Sequence, residues 1–216
     1  MADVPRPGTS TPSPAPARPR PVAPEVLAAV GDGAHPLPHD VLGAHVHAGA
    51  VTVRTLRPLA DGVQVVVADG TRTPLAHESH GVWVGVLPTT EVPDYRLAVT
   101  YAGHEETLHD DPYRFLPTLG EVDRHLVAEG RHEQLWQVLG ARVRRYPGEM
   151  GDVEGTSFAV WAPRARAVRV IADFNHWDGR SHAMRSLGAS GVWELFVPGA
   201  GAGTRYKLEV LGSDGQ

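Results

Sequence analysis

Apolar and polar positions alternate with a period of two from about Leu42 onward. Four short runs rich in Val, Leu and aromatics come first: VTVRTLRP (51–58), VQVVVA (63–68), VWVGVL (82–87) and YRLAVTY (95–101). Turn chemistry separates them, with ADG at 60–62, DGT at 69–71 and HESHG at 77–81. Short strands divided by turn signals predict an antiparallel sandwich or barrel. The alternation stops across 117–140. There Thr118 followed by Glu121 forms a helix-start box. Val122 and Leu126, then His132, Leu135, Trp136 and Leu139, fall at helical spacing, and Gly140 suits a stop. Gly130 divides this stretch into two helices, and Trp136 is read as packing against a sandwich. After Gly155 the β pattern returns as TSFAVWAP (156–163), AVRVIA (167–172), VWELFV (192–197) and RYKLEVL (205–211). Ahead of the first strands, PEVLAAVGDG predicts one short helix, with Pro24 in its first turn and Gly31 at its stop.

The two β segments can be laid on each other. GVWVGVLP (81–88) and GVWELFVP (191–198) share Gly, Val and Trp at the start and Pro at the end. Residues 57–67 match 162–172 at Pro58/Pro163, Ala60/Ala165, Val63/Val168 and Val65/Val170, and Tyr95 falls near Tyr206. Two long copies indicate tandem sandwiches, since a solenoid needs more and shorter units. Alternate strand residues share a face. Trp193, Leu195 and Val197 therefore lie on one face and Val192, Glu194 and Phe196 on the other, with Trp83 and Leu87 in the matching phase. A large aromatic held in phase in both copies is expected in each core.

The second copy carries a longer connection, around DFNHWDGRSHAMRS. Trp177 sits there among Asn175, His176, Asp178 and Gly179, a turn-forming setting. Two readings stand. The indole is a flat apolar platform for a sugar ring, with a Lys or Asn beside it to meet the hydroxyls, or it folds back to plug the sandwich edge. Lys207 alternates with Tyr206 on its strand and so points to the opposite face.

Composition narrows the chemistry. The chain lacks cysteine, which removes disulfides and Cys-based metal sites. No run of 18 apolar residues occurs, and the first residues lack the apolar core of a secretory signal. The formal net charge of −5 argues against a nucleic-acid footprint, the basic clusters being only ARPRP and ARVRR. Twelve histidines are scattered, without the spacing of a zinc motif, and are expected at the surface. Asp110–Asp111 and Glu105–Glu106 are adjacent in sequence, with nothing to position a general acid opposite them. No phosphate loop, nucleophile elbow or dinucleotide fingerprint is present, and no cofactor or metal is expected. Residues 1–24 hold eight prolines and predict a disordered arm leaning to polyproline II, either a ligand for a proline-recognising groove or a solvated tail.

Several strings resemble the amino-terminal region of bacterial glycogen (1,4-α-glucan) branching enzymes. They are HDVLGAH (39–45), DDPYRFLPTLGEVDRHLVAEGRHEQLWQVLGA (110–141), GTSFAVWAP (155–163), VRVIADFNHWDG (168–179) and GVWELFVPG (191–199). The resemblance runs from about residue 35 to the end, and the second sandwich is similar to the family-48 carbohydrate-binding module. It implies an all-β fold of two tandem immunoglobulin-like sandwiches joined by a helical connector. The divisions expected are an arm (1–24), a first sandwich preceded by a short helix (25–110), a connector (111–150) and a binding-module sandwich (151–216). It also implies cytoplasmic glycogen biosynthesis, α-1,4-glucan as partner, and a retaining two-carboxylate reaction in a (β/α)₈ barrel. Such a barrel needs about 250 residues. The chain is therefore expected to be a fragment that lacks it, inactive alone, with its last module cut short and a sheet edge left open. By the resemblance, Trp177 matches a glucan-stacking tryptophan and Lys207 a lysine that contacts sugar hydroxyls. A free-standing glycogen-binding module and a tandem protein-interaction module are the alternatives.

Overall fold

The computed structural model describes residues 17–212. In chain order, helix α1 (Pro24–Gly31) leads into strands β1 (Gly43–His47), β2 (Ala50–Leu56), β3 (Ala60–Val67), β4 (Arg72–Pro74), β5 (Ala76–Ser79), β6 (Val82–Leu87), β7 (Tyr95–Tyr101) and β8 (Thr107–His109). Helices α2 (Glu121–Ala128) and α3 (Leu135–Val138) follow. The second β segment holds β9 (Gly140–Tyr146), β10 (Val153–Trp161), β11 (Ala167–Ala172), β12 (Arg185–Ser186), β13 (Val192–Pro198) and β14 (Tyr206–Leu211).

All pairings are antiparallel. The first half forms sheets β1-β2-β6-β5 and β4-β3-β7-β8, and the second forms β12-β13-β10-β9 and β11-β14. Val51, Val53 and Leu87 from one sheet meet Val63, Val65 and Leu97 from the other in the first core. Phe158, Trp193, Leu195 and Val197 meet Val168, Val170 and Leu208 in the second.

The duplication holds to the level of register. Leu56 opposes Val82 and Trp161 opposes Val192. Val67 opposes Tyr95 and Ala172 opposes Tyr206. Gly43 opposes Arg54 and Gly140 opposes Ala159. Each pair falls at equivalent positions of the two copies. Both opening glycines also share a left-handed backbone, φ +89 and +91.

Several local expectations are corrected. The turn expected at 60–62 is strand, carrying a register shift between Ala60 and Gly62, and His77–Ser79 of HESHG belong to β5. The ARVRR cluster is strand β9 rather than connector. Thr118 does not cap α2, whose N-cap is Gly120. Its N–H instead donates to Glu194 Oε1 at 2.8 Å and Oε2 at 3.0 Å. Gly130 does end the first connector helix, in a left-handed conformation. Trp136 does not pack into a sandwich, being 70% exposed on the four-residue α3.

The first 16 residues of the proline-rich segment lie outside the described residues. Residues 17–23 form neither helix nor strand but are tied down at Arg20 and Val22, so the disordered-arm reading does not reach them. Arg20 donates from its N–H to Thr52 Oγ1 (2.9 Å) and accepts from buried Arg54 Nη2 (2.6 Å), while Val22 packs on the core.

One apolar cluster joins the halves. Leu27 and Val30 of α1, Val41, Leu42, Leu56, Val82 and Tyr113 are continuous with the second core. The connector closes the outer face of β13. Glu194, wholly buried, accepts from the backbone of Thr118 and Leu119 and lies 3.5 Å from Arg185, whose Nη1 donates to the Phe115 carbonyl. Both faces of β13 are therefore covered, which is why Val192, Glu194 and Phe196 are as buried as the residues facing the core.

Candidate functional site

The two copies diverge where β3 and β11 end. In the first copy Val67 is followed by a tight turn to β4. In the second, β11 ends at Ala172 and the chain takes a longer route before Ala183 bridges back to Arg169. The route begins with a 3-10 turn at Asp173–Asn175 and carries Trp177.

Asn175 builds this loop. Its Oδ1 accepts from Ala172 N–H at 2.8 Å, and its Nδ2 donates to the Val170 carbonyl at 2.8 Å. The strand end thereby turns back on itself, and the Trp177 N–H donates to the Ala172 carbonyl at 3.0 Å. His176 and Trp177 both take left-handed backbone, φ +53 and +63. Two consecutive side-chain-bearing residues in this region store strain, a feature that clusters at binding and catalytic sites. Gly179 is sterically required: a Cβ there would stand 2.7 Å from Arg169 Cβ and 2.8 Å from Ile171 Cγ2. Asp178 completes the loop, accepting from Arg180 N–H (3.1 Å) and its guanidinium. The hydrogen bonds from the Arg180 guanidinium, and then that from its backbone N–H, hold the Asp178 carboxyl below its usual range.

The result is an indole 43% exposed beside Lys207 of β14. Lys207 opposes Ile171 across the ladder, and its Nζ lies 5.9 Å from the Trp177 ring centroid. That distance is at the outer limit of a cation–π contact. Tyr206 points away and meets Phe158 edge-on at 4.7 Å. Asp173 and Arg205 form a two-point ion pair at the neighbouring rim, at 3.0 and 3.2 Å. The structure thus brings the two sequence-predicted site residues together. A flat apolar surface with ammonium, guanidinium and carboxylate groups around it can cover the C–H face of a pyranose and exchange hydrogen bonds with its hydroxyls. Asp173 and Arg205 went unnoticed in the sequence, where nothing marks two residues 32 positions apart as neighbours.

The repeated tryptophans lie elsewhere. Trp193 is 4% exposed in the second core. Trp83 packs, partly exposed, on the first.

The remaining candidate chemistry is structural. Asp111 is buried, accepting from Tyr95 Oη at 2.8 Å and from Tyr113 N–H at 3.0 Å, and burial pushes its carboxyl above the usual range. Asp110 lies 3.5 Å from Arg96 and from Arg114. The histidines are not all at the surface. The His132 side chain is only 7% exposed and sits 3.2 Å from Asp123, and burial holds His39 down to about 2 and His182 down to about 3. No cluster of three or more metal-ligating side chains occurs among the described residues. No helix there is long and apolar enough to cross a membrane.

Residues 23–113 match the family model for the alpha-1,4-glucan branching enzyme GlgB N-terminal domain. Residues 138–216 match carbohydrate-binding module 48, the isoamylase N-terminal domain. The chain is 59% identical over 177 residues to the 1,4-alpha-glucan branching enzyme of Thermobifida fusca, covering 82% of this chain and 24% of that protein. With the Rhodococcus jostii enzyme it shares 52% over 196 residues, 90% of this chain and 27% of the relative. A Streptomyces coelicolor enzyme is 57% identical over 178 residues, 82% and 23%. The chain thus spans about a quarter of the length of these relatives. By both of its modules, the chain matches the amino-terminal region of actinobacterial 1,4-alpha-glucan branching enzymes.

Proposed function

We propose that this chain is the non-catalytic, glucan-docking part of a glycogen branching enzyme, and that Trp177 and Lys207 hold the glucan. The observation that carries the reading is the 5.9 Å approach of the Lys207 ammonium to a 43% exposed indole, in a strained loop that the first copy lacks. A glucose ring stacks on the indole while Lys207 and the Asp173–Arg205 pair meet its hydroxyls. The functional units are the first sandwich with its leading helix (25–110), the connector (111–139) and the binding module, which opens with β9 (140–216).

The branching reaction itself belongs to a catalytic barrel in the remaining length of the parent protein. There, two carboxylates cut an α-1,4 chain and pass it to a 6-hydroxyl. This chain's part is to raise the local concentration of glucan beside that barrel. Such a protein works in the cytoplasm, where glycogen is made.

Retention on glycogen tests the reading. The wild-type chain co-sediments with glycogen, and Trp177→Ala abolishes most of the retention while Lys207→Ala reduces it. Equal retention of wild type and Trp177→Ala refutes the stacking role. Retention of neither refutes glucan binding by this chain.

A further inference from the structure

A second cavity system lies at the seam between the two sandwiches, and neither Trp177 nor Lys207 lines it. Its larger part has a volume of about 510 Å³ and its smaller part about 190 Å³. Val92, Arg114, Phe115 and Leu116 line both, so the two adjoin. The combined size is that of a small-ligand cleft.

Its walls are aromatic and braced. Phe115 and Tyr146 lie 5.2 Å apart between ring centroids, and both rest on buried Phe196, at 4.6 and 4.8 Å. The inner end holds an unexplained polar group. Both ring nitrogens of His39 are closed from solvent and have no hydrogen-bond partner among the described residues. The Nε atoms of Arg114 and Arg185, which also line the smaller cavity, are in the same condition. Buried polar atoms without partners are rare in folded proteins and point to an unseen water or ligand.

Charge selects the class of ligand. Arg114 is already paired with Asp94 and lies 3.5 Å from Asp110. Arg185 faces Glu194, and Glu149 stands at the mouth. Carboxylates therefore match the guanidiniums, and no net positive charge is left for a phosphate. Burial keeps the His39 ring neutral, with one donor and one acceptor. A neutral molecule with apolar faces and many hydroxyls fits this lining.

We propose that the seam cleft is a second carbohydrate site, taking a glucose unit against Phe115 and Tyr146 with hydroxyls turned toward Arg114 and Glu149. The choice of sugar rests on the glucan reading of the chain, while the site is independent of Trp177. Two sites on one chain would hold a long glucan at two points, raising avidity through effective concentration.

Amide chemical shifts of the whole chain, followed during titration with maltoheptaose, test this. Two patches should move: one at Asn175–Asp178 and one at Leu116, Gly148, Glu149 and Met150. In Trp177→Ala the cleft patch should keep its half-saturation point within about twofold. In Leu116→Arg, a change at an 82% exposed residue on the cleft wall, it should weaken by about tenfold while the loop patch persists. A silent cleft, loss of its shifts in Trp177→Ala, or a stronger response to inorganic phosphate than to maltoheptaose would each overturn the seam site. A responding cleft beside a silent loop would leave it standing and refute the Trp177 reading instead.

Discussion

Trp83 and Trp193 make the same hydrogen bond in the two halves of the chain. The Trp83 indole N–H donates to the Arg57 carbonyl at 3.2 Å, and that of Trp193 to the Ala162 carbonyl at 3.0 Å. Arg57 and Ala162 are themselves equivalent, each preceding the proline from which the two copies align. The tryptophan thus ties the β6 or β13 strand to the loop leaving β2 or β10, a structural task that explains its recurrence without a ligand.

Unequal burial of the pair gives unequal costs. Trp193→Ala should destabilise by about 3–5 kcal/mol, the range for deleting a core aromatic. Trp83→Ala should cost less, about 2 kcal/mol, because its side chain is already partly in water. Denaturant midpoints at constant slope check this, and equal losses would contradict it. Neither change should alter glucan affinity in the fraction that remains folded.

Glu194 holds the connector to the second sandwich. Glu194→Ala leaves two backbone N–H groups and the Arg185 guanidinium without their acceptor in a buried place. The expected loss is about 3–5 kcal/mol, as for a broken buried ion pair. Limited proteolysis should cut first within 115–120. A variant as stable as wild type would show that the connector is held by its apolar contacts alone.

Acid should weaken the fold with a definite sign. His39 is held down to about 2 and His182 to about 3, in both cases chiefly by burial, with the positive charge of Arg185 and of Arg57, respectively, lowering them further. Both stay neutral when folded and take protons when unfolded, so the unfolded state binds more protons between about pH 3 and 6.5. Stability therefore falls as pH drops through that window, by up to about 1.4 kcal/mol per pH unit for each histidine. Asp111 works against them over the carboxylate range, because burial raises its folded value and the folded state there binds the extra proton. Thermal midpoints from pH 7 to 4 should fall, and more shallowly in His182→Gln. A flat profile contradicts the burial of these rings.

The fold was legible where alternation was strong. The Val-rich strands β2, β3, β6, β7, β10, β11 and β13 stand out because each buries at least one face, β14 stands out by its alternation although only Leu208 and Leu211 are half-buried, and the repeat is written in the same residues. Strands β1 and β9 were missed because they are edges, rich in His and Arg, whose apolar positions Val46 and Val143 are exposed while His45, His47, Arg142 and Arg144 are half-buried. Thr118 misled because a capping box is local, whereas Glu194 reaches it from 76 positions away. At the site, the tryptophan was legible as an aromatic in a turn. Lys207 was named with it only through the family resemblance, because their proximity depends on the β11–β14 register that sets Lys207 opposite Ile171. His39 was hidden for the same reason, its enclosure being made by Tyr113 and Arg185 from distant segments.

Gly179 offers a way to disturb the loop without touching the indole. Gly179→Ala should force the loop off β11, since the new Cβ would overlap Arg169 and Ile171 side-chain atoms. Weakened maltoheptaose binding with little change in thermal midpoint is expected. Unchanged binding would mean that the loop conformation does not set the site.

Calorimetric titration of maltoheptaose into wild type and Trp177→Ala addresses the assignment of function to Trp177 most directly. Removing one stacking aromatic should weaken binding at the loop by about tenfold or more, while the thermal midpoint moves by little, because the indole is 43% exposed and outside both cores. Equal affinity of the two proteins would contradict the account and return the exposed tryptophan to a structural role.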